Sequence, residues 1–165
     1  MAMHSATLKY DESLVNRAVR AYWRRSLGLG VLVGVPLLCF FLALRIADGD
    51  RSWHVGLLAG VALLGIGMPI LVYWVHYRNS MAKFRDMKEP ISTFVADEDS
   101  FTLASDHGSS TLKWEAIKEV WGFEGFWLLL FSKAHFATIP LDGISDEMRS
   151  YVLEKVKRSG GSVAV

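Results

Sequence analysis

Residues 27–44, LGLGVLVGVPLLCFFLAL, and residues 55–75, VGLLAGVALLGIGMPILVYWV, contain no charged side chain. As helices rising ~1.5 Å per residue they reach roughly 27 and 31 Å, about the hydrocarbon thickness of a bilayer. A core helix of a soluble domain seldom stays apolar on every face for that long. The expectation is a membrane α-helical hairpin, 27–44 and 55–75, followed by a small soluble domain.

The residues around the two runs fit that reading. Tyr22 and Trp23 precede the first run, Trp53 stands in the loop, and Tyr73, Trp74 and Tyr77 mark the exit of the second. Such amphipathic rings prefer the headgroup level. Each run holds one Gly-x-x-x-Gly, Gly30/Gly34 and Gly56/Gly60. That spacing puts two small residues on one face, for packing within the hairpin or for dimerisation. Pro36 and Pro69 lie inside the runs, where neighbouring helices can satisfy the freed carbonyls. Neither run holds Asp, Glu, Lys, Arg, Asn or Gln, the side chains from which ion and proton paths are built, so transport by one copy is not expected.

The overall charge of +1 conceals a partition. Residues 1–26 carry five basic against two acidic side chains, residues 76–90 four against two, and the loop 45–52 two against two. Residues 91–165 hold seven basic and eleven acidic ones. Lys and Arg beside the spans set orientation, so both termini are expected in the cytoplasm and the loop across the membrane. The length of the first run, the acidic residues ahead of it and Arg45 where a cleavage site needs a small residue point to a retained signal-anchor. Cys39, the only cysteine, can form no internal disulfide and is read as a small apolar residue within the first run.

From Asp11 to Arg25, the residues Leu14, Val15, Ala18, Val19, Tyr22 and Trp23 form a helical stripe opposed by Glu12, Asn16, Arg17, Arg20 and Arg24. Asp11 or Ser13 caps the start. This arm, 1–26, is expected either to lie on an anionic leaflet or, as the preferred reading, to pack against the protein's own cytoplasmic domain or continue into the first span. Residues 76–90 read as a helical linker that Pro90 ends. Beyond it come short β-rich segments, 91–96, 101–105, 110–114, 119–123, 126–131 and 136–140, separated by turn residues. Ser145 then caps a helix over 145–157 with Met148, Val152 and Val156 on one stripe. The expected architecture of 91–165 is a small α+β domain, a PH-like antiparallel β-meander or barrel closed by a C-terminal helix.

The run Leu112-Lys113-Trp114-Glu115-Ala116-Ile117-Lys118-Glu119-Val120, then the apolar 126–131 and Ala137-Thr138-Ile139-Pro140, resembles the YcxB-like family of bacterial membrane proteins. The resemblance implies a short N-terminal segment, two membrane helices, the small β-rich domain and a bacterial cytoplasmic membrane location. It implies no particular activity. Leu141-Asp142-Gly143 departs from the family's basic or aliphatic pattern after Ile-Pro.

Within the domain, Trp114 is expected to plug the gap between sheet and helix. The stretch Phe126-Trp127-Leu128-Leu129-Leu130-Phe131 is apolar on both faces of a strand. One face fills the core and the other needs a cover, so Trp127, Leu129 and Phe131 are candidates for contact with the arm, a second copy or a protein partner. No nucleophile, phosphate-loop, zincin or Cys-x-x-Cys motif occurs. Only His107 and His135 are placed to share a site, and Asp97-Glu98-Asp99 reads as a solvated turn. The acidic domain argues against nucleic acid. The function expected is a non-enzymatic membrane protein without cofactor, presenting an interaction domain to a protein partner or its own copy. The alternatives are an immunity or stress-protective protein against a toxin, and a lipid- or metabolite-sensing membrane domain.

Overall fold

The computed structural model describes residues 4–106, 108–133 and 135–165. The chain divides into two compact units, one of Met1–Ala18 with Ser80–Val165 and one of Val19–Asn79. In order, the elements are β1 (His4–Lys9), α1 (Glu12–Ser26), α2 (Leu29–Ala47), α3 (Trp53–Asp86), β2 (Ile91–Ala96), β3 (Ser100–Ser105) and β4 (Gly108–Lys113). After a 3-10 turn at Trp114–Ala116 come β5 (Glu119–Phe123), β6 (Phe126–Leu130), β7 (Phe136–Pro140), α4 (Asp146–Arg158) and β8 (Ser162–Ala164).

The first unit contains two four-stranded sheets, ordered β1-β2-β3-β4 and β7-β6-β5-β8. The antiparallel strands and C-terminal helix expected from the sequence are present, and two strands that were not expected join them. β1, read as part of the arm, pairs antiparallel with β2 from His4↔Ala96 to Lys9↔Ile91. The domain is therefore assembled from both sides of the two apolar helices. β8 follows α4 and pairs parallel with β5, through Val120↔Val163. Gly161 makes that return fit: a Cβ there would stand 2.6 Å from the Val156 side chain and 2.8 Å from the Ile117 carbonyl.

Alternation explains the core. Ala6 and Leu8 of β1, Phe94 and Ala96 of β2 and Phe101 of β3 point one way and are buried, while Ser5, Thr7 and Lys9 stand in solvent. Trp127 and Leu129 of β6 meet them from the other sheet, with Ile139 of β7. Met148, Val152 and Val156, four apart on α4, complete the cluster. The Ser145 hydroxyl accepts from the Met148 amide at 3.2 Å, as expected of the cap. Trp114 fills the core as a plug, 5.3 Å from the Phe101 ring, and its indole N–H donates to the Asp97 carbonyl. The Tyr151 hydroxyl donates to the same carbonyl, tying the β2–β3 turn to α4.

The second unit carries α2 and most of α3. Two stretches, Gly30–Ala47 and the helix Trp53–Asp86, are long and apolar enough to cross a membrane. None of the residues in the first stretch is buried, and Ala62 is the one buried apolar residue of α3 before Asn79. Leu37, Phe40, Leu63 and Leu64 are each more than 60% exposed, which no core helix of a water-soluble domain would show. The helices meet at Gly65, where a Cβ would lie 2.9 Å from Val35 Cγ2. Gly30, Gly34, Gly56 and Gly60 have no atom within 4 Å of an added Cβ, so within the hairpin these glycines do not meet the other helix. The register of the crossing puts Gly65, three residues after Ala62, against α2 instead. In the same unit the Trp23 indole donates to the Pro69 carbonyl at 2.9 Å and its ring meets Tyr73 edge-on.

Candidate binding cleft

The candidate interaction strand must be placed first. Trp127 and Leu129 belong to the core cluster, and Phe131 is half-buried against it. They offer no free face to a partner. The opposite face of β6, Phe126, Leu128 and Leu130, is buried as well. The first turns of α1 belong to the same unit: Leu14 and Ala18 are buried, and the Arg17 guanidinium lies 5.9 Å from the Phe126 ring centre. A strand buried on both faces is apolar on both sides, which accounts for FWLLLF without any partner.

Asp11 starts that covering helix. Its carboxylate accepts from the Leu14 amide and the Ser13 hydroxyl, both at 2.6 Å, and these bonds hold it below the usual carboxylate range. Immediately before it stands Tyr10, where the two sheets meet. The Tyr10 amide donates to the Pro90 carbonyl at 2.8 Å and its hydroxyl to the Thr138 carbonyl at 3.0 Å. Burial pushes the phenol up to about 12, partly offset by a hydrogen bond with Ser92.

Around Tyr10 opens a cleft of about 530 Å³. Val15 of α1, Phe84 and Met87 at the end of α3, and Phe136 and Ala137 of β7 give it an apolar lining, with Ser80, Lys83 and Asp86 among its polar residues. Its volume falls in the range of small-molecule sites, and a Met beside aromatic rings adapts to a flexible ligand. The sequence placed Phe84 and Met87 only within the helical linker 76–90. Tyr10 carried no signal at all, because what places it is the pairing of β1 with a strand 82 residues later.

The cleft lies in a unit of recognisable type. Residues 96–155 match the family model described as YcxB-like protein. These residues are similar to the YcxB-like family. The match begins at the last residue of β2 and ends within α4, so β1, α1 and both apolar helices lie outside it. No curated protein and no solved structure matches the chain.

The remaining chemical candidates of this unit do not converge. His107 lies outside the described residues. His135 sits in the turn after β6, its Nδ1 3.1 Å from the Ser132 hydroxyl. Asp97 uses its backbone in the β2–β3 turn, accepting from Trp114 and Tyr151. Among the described residues, no three His, Cys, Asp or Glu side chains come together as a metal site.

Proposed function

We propose that the protein is a non-enzymatic integral membrane protein of the bacterial cytoplasmic membrane, whose PH-like domain takes up an acyl-chain amphiphile in the cleft beside Tyr10. The observation that carries this reading is the composition and position of the cleft. Its lining joins apolar and aromatic residues to polar ones that include Lys83 and Asp86, and one wall is the last turns of α3. On that same helix, Ser80 follows Val75 by five residues, ~7.5 Å at helical rise, so the wall begins where the apolar run ends. A single-chain amphiphile would meet apolar and charged side chains together there.

The pairing of β1 with β2 supports a two-span topology. Strands that share a ladder must share a compartment, so the chain between them crosses the bilayer an even number of times. The excess of Lys and Arg outside the loop supports a cytoplasmic position for both termini. Two sheets closed by α4 support the PH-like description.

The test is to extract the full-length chain in mild detergent and identify bound small molecules by native mass spectrometry. Wild type should carry one acyl species, and Phe84→Ser, at a half-buried cleft position, should lose it while keeping its secondary structure. Bare wild-type protein, or Phe84→Ser with the same lipid occupancy, would remove the cleft from the reading.

A further inference from the structure

Four strands end the two sheets, and one of them is unlike the others. β1 and β7 lie beside each other, and β8 has three residues. β4 has six, every one of them exposed. Natural edge strands are blunted by proline, a bulge, a central charge or brevity. β4, Gly108-Ser109-Ser110-Thr111-Leu112-Lys113, has none of these. It pairs one-to-one with β3 along its whole length, and its only charge stands at its end. It also holds Leu112, one of the few large apolar side chains that the first unit leaves exposed.

We propose that β4 pairs antiparallel with β4 of a second copy, joining two four-stranded sheets into one of eight. Two identical antiparallel strands related by a two-fold axis can face each other only in registers where opposed residues point to the same side of the sheet. Facing residue numbers therefore sum to an even total, and the axis passes through a residue rather than between two. Centred on Thr111, the register sets Thr111 against the partner's Thr111, Leu112 against the partner's Ser110 and Lys113 against the partner's Ser109. No like charges oppose each other. Thr111 already shares a hydrogen bond with Thr102 across the β3–β4 ladder, hydroxyl to hydroxyl at 2.8 Å. The two-fold axis continues that pair into a row of four threonines on the solvent face, a favourable cross-strand combination. Centring on Ser110 instead would set Leu112 against Gly108 and leave it uncovered.

The experiment uses the full chain in detergent, in a Cys39→Ala background. Thr111→Cys should form a covalent dimer under mild oxidation. Thr102→Cys, one strand further from the axis, should not. Thr111→Lys, which sets two cations against each other at an exposed position, should weaken the dimer at least about tenfold by light scattering while leaving the melting temperature of the monomer unchanged. A monodisperse wild-type monomer that Thr111→Cys fails to cross-link overturns the proposal. So does a dimer indifferent to Thr111→Lys, or a Thr111→Cys adduct whose other half is a segment of a different protein. None of these outcomes depends on whether the cleft holds a lipid.

Discussion

Leu8 tests the discontinuous assembly of the domain. It lies on β1, is fully buried, and belongs to the same core cluster as Phe94, Trp127 and Val152. Truncation of such a leucine to alanine costs about 2–5 kcal/mol, the transfer free energy of the lost carbons plus the cavity left behind. Leu8 stands opposite Ser92 and sits among side chains from both sheets and α4, so collapse around the gap would disturb several elements, and about 3 kcal/mol is a fair expectation. In hydrogen exchange, Leu8→Ala should speed the ladder amides of 91–96 on the order of 100-fold, where those amides open with the domain as a whole. Thr7→Ala, exposed on the same strand, should leave them within a few-fold of wild type. Unchanged exchange at 91–96 in Leu8→Ala would refute both the pairing of β1 with β2 and the place of Leu8 in the core.

Three further outcomes follow from single residues. Gly65→Leu should separate α2 from α3 and cost about 1–3 kcal/mol in detergent melts, whereas Gly30→Leu and Gly56→Leu should be neutral, since of these three only Gly65 has a side chain within 3 Å of its missing Cβ. Trp127→Asp should abolish soluble folding of the domain rather than a binding event, seen as loss of near-ultraviolet circular dichroism and protease resistance, because Trp127 is part of the core. The Tyr10 phenol is raised from 10.0 to about 12 by burial, so its contribution is complete below pH 10 and is lost as pH rises towards 12. Melting temperature should fall across that window in wild type and fall less in Tyr10→Phe, which gives up about 1 kcal/mol at neutral pH with its bond to Thr138.

Local patterns made much of this fold legible. The strands 91–96, 119–123 and 136–140 and the capped helix after Ser145 follow from alternation, turn residues and four-residue spacing, and they stand where those rules put them. What escaped depends on partners distant in the chain. His4–Lys9 alternates as a strand should, yet six residues ahead of a strong helical stripe carry no sign of a ladder beyond the hairpin. Gly-x-x-x-Gly says which residues share a helix face and not which face meets a neighbour, so Gly30, Gly34, Gly56 and Gly60 stay open while Gly65 makes the contact. FWLLLF announced a need for cover on both sides. The chain's own core lies on one side, and Arg17 of α1 lies against Phe126 on the other. The cleft was invisible for the same reason as β1: Tyr10, Phe84 and Phe136 meet only after the two ends of the chain are brought together.

The most direct test of the proposed architecture is sided cysteine labelling in a Cys39→Ala background, with Ser5→Cys in β1, Arg51→Cys in the loop and Lys157→Cys in α4, all exposed positions. In spheroplasts, a membrane-impermeant maleimide should modify Arg51→Cys at once, and Ser5→Cys and Lys157→Cys only after the membrane is opened. Labelling of Ser5→Cys and Lys157→Cys from opposite sides, or of all three without permeabilisation, would contradict a hairpin that crosses twice and returns β1 to its partner strand.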